Sequence, residues 1–510
     1  MNLNNNPIFL TQKRLVHRGG VLAAILIAAL VGFSLVSGMI AYRAAPENFS
    51  RDLRTPQEAG KMFYGWTIAV EIVVLLLLGF NRISRTLGDE RKAGLWDSNR
   101  LTPLKPSQLI TGYWLGSALR EFYMALVLAG TGLIIVLLAA LPITMWLETQ
   151  VLIFSTAFFT GLLAVVTGLV FKRPQSGVIF MVLIYFLQSF SFTAPRFFLS
   201  EFLLPVYGIF HVFTGAGNTP AGDVYSSLYG WSASPQLFGL QVNALLLSLG
   251  LQLIIGIFLW RLALRKTANP FQPVVLRGEA AAVFGILLLA QHGLMWGLWR
   301  GNFPTESIPD KYHSINNLCL LSVVQGCAFV AGITILALSS PQPETIRLKA
   351  LRQDNKSSQL VFPESAVSLA LILSTIATVV LFVQFVRSFV NSWQMYLAGA
   401  GNLFAFFLTF SLLFEYCRLR YKQRALGFMA LWLFILWILP FIFAGVFSNA
   451  AIGKISLLAP GICALANPDD GSLYFLLGID GGHLVIALLL FIGWRRAWRE
   501  LLAKASPAQN

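Results

Sequence analysis

The chain has 510 residues, of which 56% are hydrophobic and only 12% are charged, and its formal net charge is +15. Soluble globular proteins are roughly a quarter charged, so this composition excludes a water-facing globular surface. The mean hydropathy of +0.71 supports the same exclusion. Apolar runs of about 20 residues recur along the whole length, which is the pattern of transmembrane helices. The sequence therefore predicts an all-α polytopic membrane protein, whose basic residues face anionic lipid from cytoplasmic loops rather than nucleic acid.

In chain order, the apolar runs predict about 12 spans. A basic N-terminus precedes the run 21–41, which is too long for a signal-peptide core and predicts a retained first span. The first six predicted spans are 19–42, 61–80, 116–141, 147–171, 177–194 and 239–260. The second six are 280–299, 314–339, 365–390, 398–415, 425–448 and 473–493.

The Lys and Arg residues set the predicted topology. With the N-terminus inside, 27 of the 37 Lys and Arg residues fall in inside segments, 8 fall in outside segments and 2 fall within spans. Basic residues concentrate on the cytoplasmic side of membrane proteins. We therefore predict that both termini are cytoplasmic.

The twelve predicted spans divide into two six-span halves, residues 1–265 and 266–510. Each half has a long outside loop before its last span, with a short apolar stretch that contains Pro205 in the first half and Pro460 in the second. These stretches are too short to span, and each could dip into the outer leaflet as a re-entrant or interfacial helix. The second half is a degenerate repeat, because its loop 341–364 is basic but does not repeat the pattern of the loop at 81–107.

The segment 81–107, here called the charged segment, is the longest strongly charged run in the chain. It holds six Lys or Arg residues and three acids. Ile83 and Leu87, followed by Leu95, trace a partial apolar stripe on a helix. Gly94 interrupts that helix, and Thr102-Pro103 ends it because the residue before proline disfavours the helical region. We predict a short charged helix, a kink, a second short piece near Trp96 and a rigid turn into the next span.

The run D-E-R-K-A-G-L-W-D-S-N-R-L-T-P-L, residues 89–104, resembles the cytoplasmic coupling region of type-2 ABC exporter permeases. Members of that family carry an E-R-E-x-G-T-L-E-x-L-x-x-T-P-L-like run between their second and third spans. The matching positions, together with the flanking Asp89 and Trp96, are the predicted ATPase-coupling residues: Asp89, Glu90, Arg91, Gly94, Leu95, Trp96, Leu101, Thr102, Pro103 and Leu104. Trp96 and Asp97 depart from the family pattern, and the second half matches it in hydropathy only.

The resemblance implies a permease subunit of an exporter in the bacterial cytoplasmic (inner) membrane. It implies that a separate P-loop ATPase subunit grips the charged segment, and that membrane lipids and a second permease or accessory subunit are further partners. The sequence has no G-x-x-x-x-G-K-[ST] run. ATP and Mg²⁺ would therefore be bound by the partner, and this chain is predicted to have no cofactor, no metal and no catalytic residue of its own.

Three of the charged residues within the predicted spans are candidates for intramembrane function: Glu71, Arg120 and Glu121. Intramembrane acids are functional candidates by default, but Glu71 could also pair with a basic residue of a neighbouring span or reach water. Arg120 and Glu121 are adjacent, and adjacent residues on a helix do not face each other, so each is expected to have its own partner or to reach the interface.

Two other classes of protein remain open. A membrane-embedded transferase would need clustered acids or histidines at one interface, and the four cysteines and five histidines show no ligand spacing. An ion-coupled secondary transporter would need paired intramembrane charges at a midplane break, and only Glu71 is near that description.

Overall fold

The computed structural model describes part of the chain, and its residues are 6–18, 20–44, 56–170, 203, 236–269, 275–294, 370, 372–377, 393–421, 428, 431 and 470–503. Within this part the elements are helices, apart from two two-residue strands, Gln236–Leu237 (β1) and Leu240–Gln241 (β2). The described part of the chain therefore belongs to the all-α class, as the sequence predicts.

The helices are numbered in chain order. Before residue 171 they are α1 Pro7–Arg18, α2 Val21–Ala44, α3 Pro56–Ile72, α4 Phe80–Lys92, α5 Leu95–Leu101, α6 Pro106–Ser117, α7 Leu119–Leu138 and α8 Ile143–Val170. After it they are α9 Ala244–Ala268, α10 Arg277–Leu294, α11 Trp393–Tyr421 and α12 Asp470–Ala503.

Six of the described helical runs are long and apolar enough to cross a membrane: Val21–Arg43, Pro56–Lys92, Leu119–Leu138, Ile143–Val170, Leu245–Ala268 and Gly401–Tyr421. They coincide with the first, second, third, fourth, sixth and tenth predicted spans. A shorter apolar helix, Gly278–Leu294, covers most of the seventh. The chain is therefore a membrane-embedded helical protein.

Several sequence predictions lie outside the described residues. The fifth and eighth predicted spans are among them, together with most of the ninth and eleventh, the loop 341–364, Pro205 and Pro460. The total of 12 spans and the cytoplasmic position of both termini stay predictions.

The second span is longer than predicted and is not uniform. Helix α3 continues without a break into a seven-residue π-helix, Val73–Gly79, and then into α4. Because π-helices are rare and often lie at functional sites, the sequence pattern, which cannot distinguish α from π, missed a notable feature. The continuous run of 37 residues, Pro56–Lys92, joins the membrane-embedded part of the chain to the charged segment.

The chain divides into two compact units, 1–235 with 240–270, and 236–239 with 271–510. In the first unit a core forms between α2, α3, α7 and α8. Its fully buried members include Tyr64, Ala125 and Ile153. Gly168 lets α8 approach α4 closely, since a Cβ at that position would lie 2.8 Å from the Cβ of Leu87.

The outer faces of these helices are apolar and exposed. On α2 Leu22, Leu30 and Phe33 are each about two thirds exposed or more, and on α9 Leu246 and Leu253 are about two thirds exposed. A soluble protein would not leave such faces open, whereas in a bilayer they contact lipid tails. This agrees with a membrane-embedded unit.

In the second unit α11 packs along α12. Leu419 of α11 contacts the parallel rings of Trp494 and Trp498 of α12, whose centroids are 5.8 Å apart. The Thr409 hydroxyl donates a hydrogen bond to the carbonyl of His483, and Arg420 pairs with Glu500 at 2.8 Å.

Candidate functional site

The charged segment folds as the sequence predicts at its breaks. Helix α4 ends at Lys92, and Gly94 follows with φ +74°, a left-handed conformation that glycine adopts without a steric penalty. Helix α5 then ends before Thr102, whose extended backbone (ψ 158°) is what a following proline favours. One local prediction was incomplete: residues 106–117 form a separate helix, α6, before the third span. Its start is fixed by Pro106 at the first helical position and by Gln108, whose side chain accepts from the backbone N–H of Lys105 at 3.0 Å.

Glu90 is the centre of a hydrogen-bond network that joins four helices. Its Oε1 accepts from Nε2 of Gln12 in α1 at 2.8 Å, and its Oε2 accepts from the hydroxyl of Tyr113 in α6. That hydroxyl also accepts from Nδ2 of Asn99 in α5 at 2.8 Å. Burial, and the hydrogen bond to Glu90, raise the pKa of Tyr113, so its hydroxyl keeps its proton and remains the donor. The network fixes α5 against α1, α4 and α6.

Trp96 packs against Tyr113, a member of the Glu90 network. It is buried, 4% exposed, and its ring centroid lies 5.3 Å from that of Tyr113. Trp96, one of the two residues that depart from the exporter coupling pattern, is thus the apolar anchor of α5.

Arg91 joins the charged segment to α8. Its Nη1 donates to the carbonyl of Gly168 at 3.0 Å and to that of Leu169 at 2.6 Å. Both carbonyls belong to the last described turn of α8. The helix dipole makes the C-terminal part of a helix favourable for a positive charge, so Arg91 binds the charged segment to this membrane-length helix.

Arg100 makes the equivalent contact with α9. Its Nε donates to the carbonyl of Thr267 at 2.7 Å, its Nη2 donates to that of Ala268 at 3.4 Å, and its Nη1 pairs with Asp97 at 3.3 Å. The two arginines lie on opposite sides of Gly94. Each binds the last described turn of a different membrane-length helix.

The other face of the segment is open. Leu101 is 90% exposed and Leu95 is 54% exposed, while Thr102 and Pro103 are also exposed and Leu104 is half-buried. At the end of α4 an exposed charge cluster surrounds Asp89, which pairs with Arg85 at 3.6 Å and Lys92 at 3.5 Å. Of the predicted apolar stripe, Ile83 and Leu87 are buried, but the turn at Gly94 directs Leu95 outward.

Two intramembrane predictions are corrected by the structure. Arg120 and Glu121 were expected to have separate partners, but they pair with each other, with Nη2 and Nε of Arg120 at 2.8 Å and 3.1 Å from Oε1 of Glu121. Adjacent positions point apart on a helix, but the arginine side chain is long enough to return across the first turn of α7.

Among the described residues, Glu71 neither pairs with a basic residue of a neighbouring span nor is exposed at the surface. It is fully buried, and its described partner is the amide of Gln150 in α8, with Nε2 to Oε2 at 3.1 Å.

Sequence reasoning missed the partners that hold the site together, namely Gln12, Asn99, Tyr113 and Gln150. Nothing in their local sequence marks them, because each acts through a contact with a distant helix. In the part of the chain that the structure describes, no group of three or more His, Cys, Asp or Glu side chains could hold a metal ion.

Comparison with family models, with curated proteins and with solved structures gave no match. The class that the fold defines is an all-α, membrane-embedded protein. The charged segment caps two of its membrane-length helices.

Proposed function

We propose that this chain is the membrane-spanning permease subunit of an ABC exporter. It moves a substrate across the bacterial cytoplasmic membrane with ATP that a separate P-loop ATPase hydrolyses. The observation that carries the proposal is the two-sided character of the charged segment. One side is bound to the ends of α8 and α9 through Arg91 and Arg100, and the other presents Leu101 and Leu95 to the surroundings. The resemblance of residues 89–104 to exporter coupling regions supports the same function.

The exposed side suits a protein partner. An apolar side chain that is 90% exposed, beside exposed charges of both signs, has the composition of a contact surface with an apolar centre and a polar rim. We place this surface in the cytoplasm, where the ATPase binds it. A displacement of the charged segment then reaches α8 through Arg91 of α4 and α9 through Arg100 of α5, because α5 is anchored by Trp96 and Asn99.

The number of ATPase subunits follows from the predicted halves. Two six-span halves enclosing one path would take two ATPases, with unequal contacts because the loop 341–364 does not repeat the charged segment. A 12-span chain that dimerises or pairs with another permease is the alternative arrangement.

The test is co-purification from native membranes. The wild-type chain is expected to bring down a protein with nucleotide-hydrolase activity. Leu101→Asp is expected to reduce the recovered ATPase about tenfold, since a charge in the apolar centre of a contact costs on the order of 1.4 kcal/mol or more.

Leu240→Asp is the matched control. Leu240 is 72% exposed but precedes the N-terminal end of α9, opposite the end that Arg100 caps, and this variant should retain the ATPase. Equal recovery from Leu101→Asp, or no hydrolase with the wild-type chain, would contradict the proposal.

A second candidate is an ion-coupled secondary transporter, which the fully buried Glu71 favours. Such a protein would transport without a nucleotide. Substrate or ion flux in vesicles that contain this chain alone would favour it over the exporter.

A further inference from the structure

Glu71 and Gln150 form a polar pair deep in the first unit. Glu71 lies on α3, within the membrane-length run Pro56–Lys92, and its side chain is fully buried. Gln150 lies on α8 and is 6% exposed. Its Nε2 donates to Oε2 of Glu71 at 3.1 Å, and the hydroxyl of Tyr64 interacts with the side chains of Thr149 and Gln150. Two membrane-length helices therefore meet at a carboxyl group.

The pair is incompletely satisfied. Oε1 of Glu71 and Oε1 of Gln150 are both buried and have no hydrogen-bond partner in the structure. Both atoms are acceptors when the carboxyl group is ionised. Buried polar atoms are nearly always hydrogen-bonded, so two orphaned acceptors in one contact point to a missing donor.

The charge of Glu71 is not compensated by the described residues. The described ion pairs do not include it, and the side chains that interact with it are Gln150 and Tyr64. Glu71 has no interaction with the charged side chains near the ends of the helices packed around it. These are Arg43 of α2, Arg120 of α7 and Glu148 of α8. An unpaired buried carboxylate is strongly unfavourable in such surroundings.

Glu121 shows the contrast within the same unit. It is equally buried, 1% exposed, but the guanidinium of Arg120 lies 2.8 Å from its Oε1 and supplies the positive charge. Glu71 has no such neighbour among the described residues. The described residues thus provide no positive charge for Glu71, and a proton from the solvent would neutralise it.

We propose that Glu71 is a proton-binding site within the membrane. A proton taken from water and bound at Oε1 removes the buried charge and converts one orphaned acceptor into a donor for the oxygen of Gln150. The hydrogen bond from Gln150 Nε2 to Oε2 remains. The site is thus shared by α3 and α8.

A second feature of the structure marks the same place. The π-helix Val73–Gly79 begins two residues after Glu71. A π-helix holds one extra residue in a turn, and such segments often accompany functional sites. The proton site therefore lies beside the least regular turn of the run that leads to the charged segment.

The inference is independent of the proposed exporter function and is tested without an ATPase. Infrared difference spectra of the purified chain in lipid nanodiscs distinguish a protonated carboxyl group, by its C=O stretch, from a carboxylate. Glu71→Gln is expected to remove one protonated-carboxyl band, and that band should shift in heavy water because the proton exchanges. Glu121→Gln, the matched control, should remove a carboxylate band and leave the protonated-carboxyl band in place.

Gln150→Leu keeps the test decisive if Glu71→Gln does not fold. It removes the acceptor for the bound proton, so the protonated-carboxyl band should move to higher frequency. The proposal is overturned if Glu71→Gln removes only a carboxylate band, if Gln150→Leu leaves the protonated band unmoved, or if sodium ions alone convert the band to that of a carboxylate. The last result would identify a metal-cation site instead.

Discussion

Arginines of the charged segment differ in what they contact, although the sequence presents them alike. Arg82, Arg91 and Arg100 donate to backbone carbonyls at the ends of α6, α8 and α9 respectively. Arg85 instead pairs with an exposed aspartate and is itself 71% exposed. Hydrogen bonds from charged donors to otherwise unpaired groups contribute about 1.5–3 kcal/mol, whereas exposed ion pairs contribute about 0–1 kcal/mol. The helix-capping arginines are therefore the ones that matter for structure.

Arg91→Gln should show this difference. The shorter neutral side chain cannot cap Gly168 and Leu169, so we expect the free energy of unfolding to fall by about 1.5–3 kcal/mol. A clear drop in the midpoint of thermal unfolding of the purified protein would be the readout. Arg85→Gln is the control, with a change below about 1 kcal/mol. Equal effects of the two substitutions would show that the caps at α8 do not stabilise the fold.

Arg91→Gln should also weaken the ATPase association, since the surface that α5 presents depends on the position of the whole segment. Stability alone does not explain such a loss if the variant remains folded at the temperature of the experiment. If folded Arg91→Gln recovers as much ATPase as the wild-type chain, the contact of Arg91 with α8 is not needed for ATPase binding.

At the scale of elements, the short helix α5 depends on a single backbone conformation. Gly94 has φ +74°, and a Cβ added there would meet no atom within 4 Å. The cost of a larger residue is therefore conformational rather than steric, on the order of 1–2 kcal/mol for an L-residue in the left-handed region.

Gly94→Ala is thus expected to destabilise the protein by about 1–2 kcal/mol and to alter the direction of α5. Asparagine tolerates this region better, so Gly94→Asn should be milder. Gly130 is the matched control, because it also has no atom within 4 Å of an added Cβ but lies inside helix α7. Gly130→Ala should be neutral or stabilising by up to about 1 kcal/mol. Thermal unfolding of the three variants decides the point, and a neutral Gly94→Ala would contradict the account of the turn.

The sequence predicted those parts of the fold that depend on local chemistry. Gly94 and Thr102-Pro103 end helices through their own backbone preferences, and long apolar runs indicate membrane spans by composition. The π-helix after Glu71 and the pairing of Arg120 with Glu121 were not predictable in this way. The type of helix and the rotamer of a long side chain are not recorded by a pattern of residues. The partners of Glu90 in α1 and α6 are more than 20 residues away and were missed because the pattern does not record contacts between helices.

In the whole molecule, the proposed function depends on which side of the membrane the charged segment lies and which protein contacts it. The described structure shows the segment bound to α8 and α9 and leaves one of its faces exposed. The cytoplasmic position of that face and its ATPase partner belong to the proposal. The arrangement as two six-span halves is also a proposal. It predicts that one chain binds two ATPase subunits.

The most direct measurement places a photo-crosslinking amino acid at position 101 of the chain in living cells, with position 30 on the lipid-facing side of α2 as the control. Leu101 is 90% exposed and Leu30 is 66% exposed, so both probes are accessible to whatever lies beside them. We predict that the probe at 101 crosslinks to a protein with a P-loop ATPase sequence and that the probe at 30 does not. A probe at 101 that captures no nucleotide hydrolase, or a cysteine at 101 that reacts only with reagents applied from outside the cell, would contradict the proposed function.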